Sequence, residues 1–75
     1  MLRRKTILKK FGDLVRFQRR RLGMTQQEFG DQVGIHRTYV GAIERGERNI
    51  TIYKMYEIAE VLQEDLRNIW LGITE

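Results

Sequence analysis

The sequence predicts an all-α fold, a compact bundle of five short helices in a single domain of 75 residues. Apolar residues recur at helical spacing in successive short segments. The chain contains no proline, and glycines or capping residues stand at the segment ends. Cysteine is absent and His36 is the only histidine, which excludes disulfides and a structural zinc site. A domain this small therefore depends on efficient helix packing or on a partner subunit.

The first segment with helical periodicity covers residues 6 to 22, and Gly23 ends it. Its apolar positions recur as expected of one buried helix face. These positions are Leu8, Phe11, Leu14, Val15 and Leu22. Gly12 lies within this helix at a cost of about 1 kcal/mol relative to alanine. The basic residues ahead of it predict a flexible arm over residues 1 to 5, with a frayed, solvated terminus as the alternative.

The second predicted helix begins at Thr25 and contains a capping box. The Thr25 hydroxyl can accept the backbone N–H of Glu28, and the Glu28 carboxylate can accept that of Thr25 in return. The helix ends at Gly34, where a tight turn requires a left-handed backbone that glycine adopts without steric cost. Gly30 is the small residue expected where this helix touches the next one.

Three further helices complete the predicted fold. The third starts at residue 36 or 37 and ends at Gly46. Thr51 is the expected cap of the fourth helix and Asp65 that of a short fifth. The apolar residues of these helices are Val40, Ile43, Ile52, Met55, Ile58, Ala59, Leu62, Leu66, Ile69 and Trp70.

Basic charge is concentrated at the start of the chain. The net charge of +4 is typical of proteins that bind nucleic acid or anionic membranes. Residues 1 to 24 carry a net +8, residues 25 to 50 a net −1 and residues 51 to 75 a net −3. No apolar run approaches the roughly 20 residues of a membrane span, and the apolar stripe of the first helix is needed for the core. We therefore expect no membrane partner.

Residues 25 to 46 combine two short helices with a tight turn between them. With their flanks they resemble the Cro/repressor-type helix-turn-helix family, and also the controller proteins of restriction–modification systems. The matching blocks are GMTQQEF (23 to 29), RTYV (37 to 40) and IERGERN (43 to 49). The resemblance covers about residues 10 to 71 and implies a lambda-repressor-like DNA-binding domain whose third helix is the recognition helix. The chain departs from the family at Gly30, Ile50 and Gln63, where alanine, proline and glycine are usual.

Base contacts are expected from the outer face of the third helix. Arg37 can donate two hydrogen bonds to guanine, and Thr38 can bond a base or meet a thymine methyl group. Gly41 and Ala42 follow one turn later and are expected to be exposed. There Gly41 permits close approach and Ala42 makes apolar contact. Solvated surface residues are the alternative for all four.

Phosphate contacts are expected at the ends of the second and third helices. Backbone N–H groups at a helix start attract an anion, and the Gln26 amide can join them. Tyr39 reaches a phosphate through its hydroxyl or packs against the second helix, and His36 is an N-cap or a phosphate neighbour. The expected phosphate contacts are Arg19, Thr25, Gln26, His36, Tyr39, Arg45, Arg48 and Asn49.

The resemblance also implies one structural ion pair. In such repressors an arginine of the first helix pairs with a glutamate late in the third, and Arg19 and Glu44 occupy those positions. The pair ties the recognition helix to the rest of the domain and holds Arg19 toward a phosphate. Two solvated charges are the alternative.

The final helix carries more apolar residues than one buried face requires. Some of them close the core, for which Trp70 is favoured, and the surplus predicts a dimer face. The residues expected at this interface are Leu66, Ile69, Trp70 and Ile73.

Together these features predict a sequence-specific, double-stranded DNA-binding regulator of transcription. It is expected to act in the cytoplasm as a homodimer on a near-palindromic operator, blocking or recruiting RNA polymerase. Control of a restriction–modification operon is one such role. The alternative is an antitoxin or adaptor that mainly binds a protein. The chain has no nucleophile–base pair, phosphate loop or metal-ligand set, so we expect no enzyme and no cofactor.

Overall fold

Five α-helices form in the predicted order. The computed structural model describes residues 2 to 75, with α1 (Arg4–Arg21), α2 (Gln26–Val33), α3 (Arg37–Glu44), α4 (Ile52–Leu62) and α5 (Leu66–Thr74). Helix α1 contacts α3, α4 and α5, and α2 contacts α3 and α4. The prediction of an all-α, five-helix fold is confirmed. Within the described residues, no helix combines the length and the apolar character that crossing a bilayer requires.

One apolar core joins the five helices. Each large side chain that leaves water contributes about 1.5–3 kcal/mol to folding. The buried members are Phe11, Val15, Phe29, Val33, Val40, Ile43, Ile58, Ala59, Leu62, Ile69 and Ile73. Because every helix supplies at least one of them, the core fixes the position of α3 relative to the other four.

Polar side chains cap the starts of the helices after α1. Thr25 Oγ1 accepts the backbone N–H of Glu28 at 3.0 Å, and the Glu28 carboxylate accepts that of Thr25 at 2.9 Å. The predicted capping box is therefore present. The hydrogen bond from the Thr25 backbone lowers the pKa of Glu28, with a smaller contribution from the Thr25 side chain. Thr51 and Asp65 cap α4 and α5 as predicted.

Replacing Glu28 by alanine is expected to lower the melting temperature more at pH 7 than at pH 3. The pKa of Glu28 is lower in the folded chain than in the unfolded chain. Its carboxylate therefore favours folding above the unfolded pKa, and this contribution is lost as the pH falls through the lowered pKa. Thermal melts followed by circular dichroism measure the difference, with the exposed Glu60→Ala as control. An equal loss at both pH values for Glu28→Ala contradicts the prediction.

Gly12 brings α1 into backbone contact with the end of α3. A Cβ atom at this position would lie 2.4 Å from the carbonyl oxygen of Ile43 and 2.5 Å from that of Glu44. No side chain fits in this space. The helix-propensity cost of Gly12 is therefore offset by the close packing of α1 on α3.

The first helix begins earlier than the sequence predicts. Arg4 and Lys5 belong to α1, so helix replaces the predicted flexible arm at these two residues. Ile7 packs against the core, and its backbone N–H donates to the carbonyl oxygen of Arg3 at 3.0 Å, which closes the first turn. Met1, the start of the predicted arm, lies outside the described residues. At the other end, Leu22 is an exposed C-cap rather than part of the buried face.

Helix α5 turns a different face to the core than expected. Ile69 and Ile73 are 0% and 1% exposed, whereas Trp70 is 60% exposed. Residues four apart share one helix face, and the face that contains Ile69 and Ile73 packs against the core. These two residues are therefore not available to a dimer face, and Trp70 is not a core residue. The exposed apolar residues of α5 are Leu66, Trp70 and Leu71.

Gln63 ends α4 in the left-handed conformation, with a φ of 57° and a ψ of 41°. Glycine adopts this conformation without steric cost and is common after a helix end. For glutamine the cost is about 1 kcal/mol. Glutamine in place of the usual glycine therefore lowers the stability of the α4–α5 loop, although the turn still forms.

Candidate nucleic-acid interface

Helices α2 and α3 meet at a tight turn. Gly34 ends α2 with a φ of 86°, and the N–H groups of Gly34 and Ile35 both donate to the carbonyl oxygen of Gly30, at 2.8 and 2.9 Å. A Cβ atom on Gly30 would lie 2.5 Å from the carbonyl oxygen of Ile35. The turn therefore packs against α2 at a point where Gly30 has no side chain, and the backbone at Ile35 would have to shift to admit a Cβ atom there. The roles predicted for Gly30 and Gly34 are confirmed.

The start of α3 presents polar side chains to solvent. His36 caps the helix, since its Nδ1 accepts the backbone N–H of Thr38 at 3.1 Å and lies 2.8 Å from Thr38 Oγ1. Arg37 and Thr38, both predicted base contacts, are exposed. Arg37 Nη1 donates to Gln27 Oε1 at 3.3 Å, so Gln27 orients the arginine. The sequence carries no local signal for this role of Gln27, because the turn brings the two helix starts together.

Gly41 and Ala42 are buried, contrary to the expectation that both are exposed. Ala42 is 8% exposed. Gly41 is covered by polar side chains, since a Cβ atom there would lie 3.1 Å from Arg45 Nη1 and 3.6 Å from Gln26 Nε2. Helix α3 lies against both α1 and α2, so only a narrow strip of its surface faces solvent. The exposed candidates for base contact are therefore Arg37 and Thr38.

A buried ion pair joins α3 to α1. Arg19 donates through Nε to Glu44 Oε2 at 2.7 Å and through Nη2 to Glu44 Oε1 at 3.0 Å. Arg19 Nη1 also donates to the carbonyl oxygen of Met24 at 2.8 Å. The Gln26 amide donates to Glu44 Oε1 at 3.2 Å. This bidentate, charge-assisted geometry is the strong kind, and it links α1, α3 and the first turn of α2.

Arg19 is a structural residue in this arrangement. The side chains of Arg19 and Glu44 are 8% and 4% exposed. All three guanidinium nitrogens of Arg19 donate to groups within the domain. The ion pair expected from the resemblance is present. Arg19 lacks the exposed surface that the expected phosphate contact requires, because its charge is buried against Glu44.

Cationic side chains follow the end of α3. Arg45 Nε donates to Glu47 Oε2 at 3.0 Å. This hydrogen bond raises the pKa of Arg45 and lowers that of Glu47, so both groups are charged at neutral pH. The Arg48 guanidinium lies 5.6 Å from the ring centre of Tyr39, within the range of a cation–π contact. Tyr39 is half-buried against the core, and Asn49 is exposed.

The predicted phosphate contacts other than Thr25 line three grooves. Tyr39, Arg48 and Asn49 line one groove of about 530 Å³, together with Arg4 and Lys5 of α1. Gln26 and Arg45 line a second groove beside α3. His36 and Arg37 line a third, shared with the start of α2. All three grooves adjoin α3, so its exposed strip is flanked by basic and amide side chains.

Comparisons with known proteins agree with this geometry. The family model described as Helix-turn-helix matches residues 15–69. Control protein C.SmaI from Serratia marcescens is 38% identical over 48 residues, which are 64% of this chain and 57% of that protein. An uncharacterised HTH-type transcriptional regulator from Sinorhizobium fredii is likewise covered over 57% of its length. The chain thus spans little more than half the length of these two relatives.

Solved structures show the same fold. The restriction–modification controller protein C.AhdI from Aeromonas hydrophila superposes with a TM-score of 0.77 at 34% identity, over 83% of this chain and 90% of that one. The C.Esp1396I controller tetramer, solved in complex with its natural 35 base-pair operator, superposes with a TM-score of 0.76 at 27% identity, over 92% of this chain and 96% of that one. The predicted resemblance to helix-turn-helix regulators and controller proteins is confirmed.

Proposed function

The chain belongs to the helix-turn-helix family, and from this premise we propose that it is a sequence-specific regulator of transcription that binds double-stranded DNA as a homodimer. Its operator is near-palindromic, because a two-fold dimer presents two identical reading surfaces. Control of a restriction–modification operon is the proposed role, on the strength of the controller proteins it resembles. In this proposal the regulator acts in the cytoplasm and blocks or contacts RNA polymerase at the promoter.

The exposure of Arg37 and Thr38 at the start of a firmly anchored helix carries the proposal. Arg37 is the residue we assign to guanine, through two parallel hydrogen bonds in the major groove. Thr38 is assigned to the neighbouring base. The Gln27 amide, 3.3 Å from Arg37, holds the guanidinium before DNA arrives. This reduces the side-chain entropy that binding costs.

The residues around α3 are assigned to the DNA backbone. The first turn of α2 offers free backbone N–H groups and the helix dipole to a phosphate. At the other end of α3, the exposed pair of Arg45 and Glu47 is worth little in water, so Arg45 can exchange its partner for a phosphate. The proposed phosphate contacts are Thr25, Gln26, His36, Tyr39, Arg45, Arg48 and Asn49.

The outer face of α5 is the proposed dimer interface. Leu66, Trp70 and Leu71 are 39%, 60% and 49% exposed, and with Arg67 they line an apolar groove of about 390 Å³. A clustered apolar surface of this kind on a small domain is typical of an interaction site. The proposal requires that two copies joined there present their α3 helices to successive major grooves, about 34 Å apart.

Replacing Arg37 by alanine is expected to weaken binding to the operator by about 30-fold or more, since a bidentate base contact is worth about 1–3 kcal/mol and the dimer loses one in each half-site. Binding to random duplex DNA is expected to change little. A gel-shift titration at fixed salt measures both, with DNA from upstream of the protein's own gene as the specific probe. Arg21→Ala removes the same charge from the exposed end of α1 and is the matched control.

The outcomes separate the proposed function from its alternative. If wild-type protein binds promoter and random DNA equally, the proposal of a sequence-specific regulator is wrong. An antitoxin or adaptor is then expected to yield a stoichiometric protein partner in a pull-down. If the operator is preferred but Arg37→Ala and Arg21→Ala lose equal affinity, the assignment of Arg37 to a base is wrong.

A further inference from the structure

A basic cleft opens between α1 and the helix-turn-helix unit. It is the groove beside α3 that Gln26 and Arg45 line, it has a volume of about 270 Å³, and we refer to it as the α1 cleft. Its lining residues come from three helices and are Lys9, Arg16, Arg19, Arg20, Gln26, Gly41, Glu44 and Arg45. The α1 cleft is therefore bounded on one side by residues that flank the exposed strip of α3, and on the other by the outer surface of α1.

The α1 cleft is strongly positive. Five basic side chains line it, against the single carboxylate of Glu44. That carboxylate is neutralised by the bidentate pair with Arg19. Within residues 2 to 75, Arg16 and Arg20 are exposed and form no ion pair within 4.0 Å, whereas Lys9 pairs with Asp13 at 2.8 Å and Arg45 with Glu47 at 3.0 Å. Two unneutralised guanidinium groups thus face the same small space.

The spacing of Arg16 and Arg20 suits a single tetrahedral anion. Residues four apart on a helix lie on one face, with Cβ atoms about 5–6 Å apart. Guanidinium groups are planar forks that bind phosphate through parallel hydrogen bonds. Gln26, at the opposite wall, begins α2, where the helix dipole also favours a negative charge.

We propose that the α1 cleft binds a backbone phosphate of the operator duplex, outside the stretch of major groove that α3 enters. Arg16 and Arg20 are the residues that clamp this phosphate. The inference rests on the proposed function, because DNA docked by α3 and Gln26 is what brings a phosphate to the cleft. It adds contacts on α1 that carry no base information but fix the register of each subunit on the duplex.

The dependence of operator affinity on salt tests the α1 cleft. Each phosphate neutralised adds about −0.9 to the slope of log affinity against log salt concentration. The double variant Arg16→Gln/Arg20→Gln is therefore expected to have a dimer slope less negative by about 2, for one phosphate lost per subunit. Its affinity for operator and for random DNA is expected to fall by the same factor, about tenfold.

Two control variants isolate position and charge. Arg21→Gln removes the same charge from the adjacent residue of α1, outside the cleft, and is expected to keep the wild-type slope. Arg16→Lys/Arg20→Lys keeps both charges and is expected to restore most of the slope. A methylphosphonate scan of the operator then removes one phosphate charge at a time. One position is expected to weaken the wild type but not the double glutamine variant.

The failure of this inference is distinct from the failure of the proposed function. A wild-type protein without preference for the operator contradicts the proposed function. A wild type that prefers the operator, with equal slopes for the double glutamine variant and for Arg21→Gln, overturns the α1 cleft as a phosphate site. In that case an acidic protein segment becomes its better candidate ligand. A melting temperature equal to the wild type's confirms that each variant is folded.

Discussion

Replacing Arg19 by methionine is expected to lower the free energy of unfolding by about 3–5 kcal/mol, the usual cost of breaking a buried ion pair by removing one partner. Among residues 2 to 75, the substitution leaves the Glu44 carboxylate, 4% exposed, with the Gln26 amide as its one remaining donor. A domain of 75 residues has a total stability of about 4–11 kcal/mol. The variant is therefore expected to lose a large fraction of its stability, to melt at a clearly lower temperature than the wild type, and to lose DNA binding where its fold is lost.

Urea denaturation followed by circular dichroism measures this effect. The double variant Arg19→Met/Glu44→Leu is expected to recover much of the loss, because no unpaired charge then remains in the interior. Lys9→Met breaks the exposed pair with Asp13 and is expected to cost at most about 1 kcal/mol. If Arg19→Met costs no more than Lys9→Met, the buried pair does not stabilise the position of α3.

Replacing Trp70 by glutamate is expected to raise the dissociation constant of the proposed dimer by about 1,000-fold. In a two-fold interface every substitution occurs twice. A central tryptophan is worth about 2 kcal/mol or more, so two copies lose about 4 kcal/mol, which is three powers of ten. The variant also brings two carboxylates together near the symmetry axis. Operator affinity is expected to fall with dimer formation, because a monomer engages one half-site.

Sedimentation velocity at micromolar concentration measures the change in oligomeric state. Phe17→Glu is the matched control, because Phe17 is 59% exposed on α1 rather than on α5. It is expected to remain dimeric. A dimeric Trp70→Glu protein together with a monomeric Phe17→Glu protein would move the interface from α5 to the outer face of α1.

The parts of the fold that depend on neighbouring residues could be predicted from the sequence. The capping box of Thr25 and Glu28 uses hydrogen bonds within one helical turn, so the sequence contains both partners. The same holds for Gly34, whose left-handed conformation is a local requirement of the turn. Helix types and ends followed from such signals, with the exception of α1, which begins earlier and where Ile7 packs on the core.

The burial of individual apolar residues could not be predicted in the same way. In α5, four apolar residues occur within six positions from Leu66 to Leu71, and this density fits more than one choice of buried face. Which face of α5 is buried depends on how α5 docks on α1 and α4, and the buried face is the one that contains Ile69 and Ile73. Ala42 is similar, since its burial follows from the packing of α3 between two other helices.

The same difference between local and long-range signals applies to the candidate site. The exposed position of Arg37 and Thr38 could be predicted because the turn before α3 defines where that helix starts; their contact with bases stays a prediction. The proposed phosphate contacts Arg16 and Arg20 could not be predicted, although their four-residue spacing on the polar side of α1 is visible in the sequence. That spacing acquires meaning only when α3 docks on α1 and places Arg45 and Gln26 opposite.

The bare backbone contacts between α1 and α3 have a mechanical consequence. At Gly12 and at Gly46, where a Cβ atom would lie 2.9 Å from Cα of Lys9, the two segments touch without side chains that could change rotamer. Helices α3 and α1 are therefore expected to move as one rigid body. In the proposed complex, a mismatch in half-site spacing cannot be absorbed by tilting α3. It must be absorbed by rotation of the two subunits about the α5 face or by bending of the duplex, which costs more for stiff sequences than for flexible ones.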